Sequence, residues 1–178
     1  PNALLTDLLS EEIYNADSLV ASPLRAMDCP PISDGASAMV IASEEKAYEF
    51  TDNPIWIEGI DHSIESSNLG SRDLTTSPTI HNAIQNLKLA NINFDVAELH
   101  TQFSHEVPFL RELLNLKNVP TNLSGGPLVG NVMMCACLDA IGKTYEYMVK
   151  EQLGNGLAHA TSGPCLQHNM VVHLERQK

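Results

Sequence analysis

Predicted strands and helices alternate along most of this sequence, and the alternation predicts the α/β class. From residue 55 onward the predicted order is strand, helix, strand, helix, helix, strand, strand. This order indicates a mixed sheet covered by helices on both faces. Two observations support it, the helical spacing of apolar residues and the short runs rich in β-branched residues. The 178 residues suffice for one domain with a hydrophobic core, or at most two small ones.

The first 52 residues predict less regular structure than the rest. A short amphipathic helix is predicted by the spacing of Leu4, Leu5, Leu8, Leu9 and Glu12. The prolines that follow predict an extended loop over 16–34. The compact apolar run at 38–42 predicts a buried strand, and residues 44–50 predict a short helix with Ser43 as its N-cap.

The turn at 52–54 is the predicted boundary between two structural units, 1–52 and 53–178. Beyond this turn the sequence predicts, in chain order, a strand at 55–60, a polar loop at 61–78, a helix at 79–90, a strand at 93–99 that ends at His100, a helix capped by Ser104, a glycine-rich loop at 120–130, a helix at 131–150 with Met133 facing inward, and strands at 157–161 and 170–175.

The charge balance limits the partners of this chain. Its net charge is −12, so its surface repels nucleic acid and anionic membranes. No apolar run approaches the roughly 20 residues that span a bilayer. The N-terminus has neither the basic region of a signal peptide nor an initiating methionine, which indicates processing or a piece of a longer chain. The four cysteines match neither a disulfide framework nor zinc-ligand spacing, and reduced cysteines in a cytoplasmic protein fit them best.

The strongest local motif is the glycine-rich segment 122–131, which precedes a predicted helix. Adjacent Gly125 and Gly126 let the backbone approach a ligand closely. Free N–H groups near a helix N-terminus favour negative charge, so the segment is a candidate site for an oxyanion or a carbonyl oxygen. The alternative is a tight connection that binds nothing.

A second motif places His100 directly after a predicted strand, within the segment 98–103. Polar side chains at strand ends in α/β proteins often line a site. His100 is therefore a candidate hydrogen-bond donor or general acid or base. The alternative is a structural histidine that is hydrogen-bonded to the backbone.

A third motif, residues 156–168, carries two histidines and a cysteine around a Gly-Pro loop between two strands. Cys165 is a reactive thiol if a neighbouring charge lowers its pKa, and otherwise a small buried side chain. A metal site formed by His159, Cys165 and His168 is a weaker alternative, because their spacing is irregular.

Taken in order, these motifs resemble the thiolase superfamily, most closely its sterol-carrier-type and archaeal acetyl-CoA acetyltransferase branch. The resemblance covers nearly the whole chain and the C-terminal half of the family. Residues 20–29 and 33–38 resemble the end of the family's N-terminal half. Residues 95–100 resemble the strand that ends in a His-Asp-x-Phe type motif, and residues 122–126 resemble an Asn-x-Ser-Gly-Gly loop. Residues 156–159 and 171–175 resemble the closing strands.

The resemblance implies a thiolase-like fold, usually in homodimers, and acyl transfer between coenzyme A thioesters without a further cofactor. It assigns 1–52 to the end of the N-terminal half and 53–178 to the C-terminal thiolase domain. The usual mechanism of the family uses a nucleophilic cysteine from the N-terminal half, a histidine in a Gly-His-Pro motif, and a second cysteine near the C-terminus that moves a proton.

Carried over residue by residue, the family pattern is only partly kept. His100 matches the start of the His-Asp-x-Phe motif, although Thr101 follows it, and Asn131 stands where the Gly-His-Pro histidine is expected. Asparagine can donate a hydrogen bond but is not a base at neutral pH. The resemblance therefore implies that His100 and Asn131 are oxyanion donors. The family's nucleophilic cysteine has no counterpart in this sequence.

Near the C-terminus the resemblance implies that Cys165 is the acid/base group and His159 its orienting neighbour, with Gly163 as the alternative match to the second cysteine. The substrate-binding residues that it implies are Ser124, Gly125, Gly126 and Gly163.

Three functions remain open on this basis. The preferred one is acyl transfer or carbon–carbon bond chemistry on acyl-CoA. The alternatives are a catalytically inactive thiolase-fold subunit that scaffolds a complex, and a thiolase-like retro-aldolase that works with a small OB-fold partner.

Overall fold

The structure is a computed structural model that describes residues 9–176. Its helices are α1 (Glu11–Ala16), α2 (Glu44–Phe50), α3 (Pro78–Asn86), α4 (Glu106–Leu113) and α5 (Ala136–Glu151). Its strands are β1 (Leu19–Ala21), β2 (Leu24–Arg25), β3 (Ile55–Ile64), β4 (Val96–Leu99), β5 (Asn155–Ser162) and β6 (His168–Arg176). Short 3₁₀ turns lie at Ala26–Asp28, Leu69–Ser71, Leu89–Asn91, Pro127–Val129 and Met133–Cys135.

Four of the strands form one mixed sheet in the order β3-β6-β5-β4. The β3/β6 and β6/β5 pairs are antiparallel, whereas β5 and β4 are parallel. One face packs against α3 and α4 through a core that includes Ile80, Leu110 and Leu157. The other face packs against α5 through Ile141, Met148 and neighbouring strand residues. The predicted α/β class, with helices on both faces of a mixed sheet, is confirmed.

Strand alternation decides which side chains share a face of this sheet. Leu99 of β4 lies in the core under α3 and α4, and its register partner is His159 of β5. His159 therefore faces α3 and α4 as well. Glu98 and His100, one residue to either side of Leu99, point to the opposite face, on which α5 lies. His100 and His159 are consequently separated by the sheet, although the His100 N–H donates to the His159 carbonyl over 3.0 Å.

The strand predicted at 38–42 is absent. These residues form no regular structure, and Val40 is 96 % and Ile41 71 % exposed. A strand needs a neighbour to satisfy its backbone groups, and between residues 9 and 176 no strand pairs with this segment. The helix predicted next to it is confirmed as α2, although the Ser43 side chain makes no capping hydrogen bond.

The segment before it is more ordered than the predicted loop. Residues 16–34 contain the hairpin β1-β2 and a 3₁₀ turn that ends at Asp28. The Asp28 carboxylate accepts hydrogen bonds from the hydroxyls of Tyr14 (2.8 Å) and Ser104 (2.5 Å). The predicted cap of α4 is wrong for this reason, since the Ser104 hydroxyl binds Asp28 rather than the helix. Of the predicted N-terminal helix, Leu4, Leu5 and Leu8 lie outside the described residues.

The helix predicted from residue 131 begins later, at Ala136, after a 3₁₀ turn. Met133, predicted to face inward, is 51 % exposed because it lies in that turn. The predicted strands at the C-terminus are confirmed as β5 and β6. The division into units at 52–54 stays a prediction.

Candidate active site

The glycine-rich loop is bound to the end of β4 at three consecutive residues. The Asn122 N–H donates to the Ala97 carbonyl over 2.9 Å, and the Asn122 Oδ1 accepts from the Leu99 N–H over 2.6 Å. Between them, the Glu98 carboxylate accepts from both donors of Ser124, the N–H at 3.1 Å and the hydroxyl at 2.6 Å. The loop and the strand end are thereby held as one unit.

The diglycine bend has a conformation that other residues adopt poorly. Gly125 has φ +98° and Gly126 has φ +62°, both in the region that favours glycine. A Cβ on Gly126 would lie 2.6 Å from Asn122 Nδ2. The two glycines are therefore required by the tight return of the chain onto Asn122.

The backbone donors of this bend are already used within the loop. The Ser124 N–H donates to Glu98, the Gly125 N–H to the Asn122 carbonyl at 2.9 Å, and the Gly126 N–H to the Ser124 hydroxyl at 3.1 Å. The expectation that these amides are free to hold an oxyanion is not met in this conformation. The expected helix N-terminus is also displaced, since α5 begins at Ala136.

His100 and Asn131 meet at the end of the loop. Both side chains are buried, and His100 Nε2 lies 3.0 Å from Asn131 Oδ1. The same Oδ1 accepts from the Met133 N–H over 3.1 Å, which fixes the orientation of the amide. Because an amide oxygen only accepts, His100 Nε2 is the protonated nitrogen and donates to it. The two residues predicted as oxyanion donors are thus joined by a direct hydrogen bond.

The backbone of Asn131 is held from the N-terminal segment. Its N–H donates to the Pro31 carbonyl, and its carbonyl accepts from the Ser33 N–H, each over 3.0 Å. Its Nδ2 makes no hydrogen bond to any residue between 9 and 176. His100 Nδ1 is buried and has no partner among the same residues. Asn131 Nδ2 is therefore the available donor of the pair, and His100 fixes the amide that carries it.

A cavity of about 610 Å³ lies beside this pair, within the size range of ligand sites. Its walls come from residues 33–37, from the end of β4, from the glycine-rich loop and from α5. Its ionisable side chains, apart from His100, are Asp34, Glu98, Asp139, Lys143, Glu146 and Tyr147. Burial raises the pKa of Glu98, and the hydrogen bonds from Ser124 oppose this change. The wall is acidic because four of these side chains are carboxyl groups and one is a lysine.

The predicted residues of the C-terminal hairpin do not line this cavity. Cys165 is exposed, and its carbonyl accepts from Arg72 Nη2 over 2.8 Å. Gly163 does not line the cavity either, and its carbonyl accepts from Gln102 Nε2 over 2.9 Å. The resemblance assigned Cys165 and Gly163 of the hairpin to the same site as His100, Asn131 and the diglycine bend, and the structure brings together the bend, His100 and Asn131 without the hairpin.

His159 is fully buried on the far face of the sheet. Its Nε2 lies 2.9 Å from Asn169 Oδ1, and the Asn169 amide nitrogen donates to Thr79 Oγ1 and to the Leu166 carbonyl, each over 2.7 Å. The orientation of the Asn169 amide makes His159 Nε2 the donor. Burial lowers the pKa of His159 to about 4. His159 is in no position to orient Cys165 in the cavity.

Sequence reasoning missed Glu98 and the acidic and aromatic side chains of α5. Glu98 had a signal in the sequence, because it precedes His100 by two residues on a strand and therefore shares its face. The residues of α5 had none, since their approach to the loop depends on packing between distant segments.

Among the described residues no group of three or more His, Cys, Asp or Glu side chains is placed to hold a metal ion, so the alternative metal site is not formed. No described helix is both long and apolar enough to cross a bilayer.

Comparison with known proteins gives named relatives, although no family model matches the chain. The chain is 35 % identical over 99 residues to an acetyl-CoA acetyltransferase of Methanothermobacter thermautotrophicus and 38 % identical over 101 residues to one of Methanocaldococcus jannaschii. Each match covers 53 % of this chain and 26 % of the relative. A putative acetyl-CoA C-acetyltransferase, VraB of Staphylococcus aureus, is 29 % identical over 137 residues, which are 72 % of this chain and 35 % of the relative.

A solved structure shares the fold. The crystal structure of the Bacillus anthracis acetyl-CoA acetyltransferase superposes with a TM-score of 0.61 at 18 % identity, over 76 % of this chain and 34 % of that one. The class defined by the fold is thus the thiolase-like α/β class. The sequence matches confirm the resemblance to the C-terminal region of the thiolase superfamily, and to its archaeal acetyl-CoA acetyltransferases. The chain spans about a quarter of the length of these archaeal relatives.

Proposed function

We propose that this chain supplies the carbonyl-binding side of a thiolase-type acyltransferase site that acts on coenzyme A thioesters. The proposal is supported by the names of its relatives and by one observation of geometry. His100 and Asn131, which are 31 residues apart in sequence, are hydrogen-bonded over 3.0 Å on the wall of a ligand-sized cavity.

In this proposal the Asn131 amide binds the thioester carbonyl. Attack on a thioester places negative charge on its oxygen, and a fixed neutral donor stabilises that charge without reorganising. His100 and the Met133 N–H hold the Asn131 Oδ1, so the Nδ2–H₂ group has one orientation. The sequence led us to expect that both residues donate to the oxyanion. The present proposal gives them different roles, in which Asn131 binds the carbonyl and His100 orients Asn131.

The proposal takes the attacking thiolate from polypeptide outside residues 9–176. Cys29, Cys135, Cys137 and Cys165 are the cysteines of this range, and none of them lines the cavity. Asn131 cannot remove a proton from a thiol at neutral pH, so an activating base is also required from elsewhere. The acidic wall repels phosphates, and the proposal therefore places the acyl and thioester end of the substrate in this cavity. Homodimer assembly and a cytoplasmic location stay predictions.

Turnover of acetyl-CoA by the natural protein that contains this chain tests the proposal. Asn131→Ala is expected to lower kcat by about 10²–10³-fold, the usual effect of removing an oxyanion donor. Matched controls are Asn93→Ala and His81→Ala, since both residues are exposed and neither lines the cavity. Unchanged turnover in both Asn131→Ala and His100→Ala would end the proposal.

A second candidate is a catalytically inactive thiolase-fold subunit that scaffolds a complex. It is favoured by one observation, that the N–H groups of the diglycine bend and the His100 Nε2–H are all satisfied internally. A scaffold subunit would neither turn over nor bind acetyl-CoA at this cavity. Calorimetric titration of the natural protein with acetyl-CoA separates the two, because the scaffold function predicts no heat of binding that depends on Asn131.

A further inference from the structure

Glu98 occupies an unusual position for a carboxylate. It is 3 % exposed, lines the cavity, and precedes His100 by two residues, so that the two side chains lie on the same face of the sheet. Burying a charged group is unfavourable unless its hydrogen bonds are satisfied. Both oxygens of Glu98 are satisfied by one residue, since Oε1 accepts the Ser124 N–H and Oε2 accepts the Ser124 hydroxyl.

The contact fixes more than Ser124. Because the Ser124 hydroxyl gives its hydrogen to Glu98, its lone pairs are free to accept the Gly126 N–H over 3.1 Å. Glu98, Ser124 and Gly126 therefore form a directed chain of hydrogen bonds from the strand into the bend. The bend leads through Pro127–Val129 to Asn131, and the strand leads to His100.

A carboxylate suits this position better than its neutral analogue. Ser124 presents two donors, and a carboxylate accepts both, whereas the single oxygen of a glutamine amide accepts one and its NH₂ group faces the other. Hydrogen bonds to an ionised acceptor are also shorter and stronger, in line with the 2.6 Å hydroxyl contact.

We propose that Glu98 is a positioning residue, which acts through Ser124 and the diglycine bend to set the placement of Asn131 against His100. The inference rests on the proposed function for its effect on turnover. The placement itself is measurable without any substrate. A displacement of about 1 Å at a reacting group costs about 10²-fold in rate.

The test compares Glu98→Gln, Ser124→Ala and the control Glu58→Gln, which lies exposed on β3, in the natural protein. We expect Glu98→Gln to lower kcat for acetyl-CoA by about 10²-fold with KM nearly unchanged. We expect faster amide exchange at Ser124 and Gly126, and a changed imidazole ¹⁵N–¹H signal of His100. Ser124→Ala, which removes the hydroxyl between Glu98 and Gly126, is expected to act in the same direction, and the double variant to lose no more than the worse single one.

The outcomes separate this inference from the proposed function. If the unaltered protein neither binds nor turns over acetyl-CoA, the proposed function fails, and the His100 signal and the amide exchange of Gly126 still test the positioning role of Glu98. If the unaltered protein is active and Glu98→Gln leaves both kcat and the His100 signal unchanged, the inference is wrong. A lower unfolding midpoint with an unchanged His100 signal would also overturn it, because Glu98 would then serve stability alone.

Discussion

His159 should make the stability of this fold fall steeply in mild acid. Its Nε2–H donates to Asn169, so a second proton would have to enter on Nδ1, which is buried and has no partner among the described residues. Burial is the main cause that lowers the pKa of His159 from 6.5 to about 4, and the nearby His100 adds to it. The hydrogen bond to Asn169 acts in the opposite direction but does not offset burial.

The sign and size of the effect follow from proton linkage. Below pH 6.5 the unfolded chain binds a proton on this imidazole that the folded chain does not bind until about pH 4. The contribution of His159 to stability is therefore complete above pH 6.5 and declines between pH 6.5 and 4. At about 1.4 kcal/mol per pH unit, the loss is about 3 kcal/mol.

Urea unfolding followed by circular dichroism at pH 7 and pH 4 measures this loss. His159→Gln keeps a donor for Asn169 and cannot titrate, so its free energy of unfolding should fall by about 3 kcal/mol less than that of the unaltered chain. His81→Gln, on the exposed surface of α3, is the control and should follow the unaltered chain. Equal losses in the unaltered chain and His159→Gln would refute the reasoning.

Three further substitutions test the loop and the surface. Gly126→Ala should lower the free energy of unfolding by about 1–3 kcal/mol or more, because the new methyl meets Asn122 in a backbone conformation reserved for glycine, and urea midpoints measure it. Gly142→Ala, in α5 where a Cβ meets nothing within 4 Å, should instead raise the free energy of unfolding by about 0.5–1 kcal/mol in the same assay. Val40→Lys, at a side chain that is 96 % exposed, should change stability by less than about 0.5 kcal/mol and reduce self-association in light scattering. A destabilised Gly142→Ala, a neutral Gly126→Ala or a destabilised Val40→Lys would each contradict the structure.

Much of the fold follows from local sequence signals. The helix α5 and the strands β5 and β6 were predicted because apolar spacing reports directly on the buried face of an element. Their ends were less predictable, since α5 starts at Ala136 only after Asn131 is held by Pro31 and Ser33. The strand predicted at 38–42 was wrong because pairing is a non-local property that an apolar run does not determine.

The site was predictable in part, because its motifs are local in sequence whereas the contacts between them are not. The sequence placed His100 at a strand end and Asn131 after a glycine bend, and the structure joins them. Which of them donates depends on the Met133 N–H, a contact that no motif encodes. The predicted role of His159, as the residue that orients Cys165, could not be checked without the register of β4 and β5. That register places His159 across the sheet from His100.

A double-mutant cycle on acetyl-CoA turnover by the natural protein tests the central claim most directly. If His100 acts by orienting the Asn131 amide, then Asn131→Ala removes the group that His100 orients. The double variant His100→Ala/Asn131→Ala should therefore have the kcat of Asn131→Ala alone. Losses that multiply across the two substitutions would show that the two side chains act independently, and would contradict the claim.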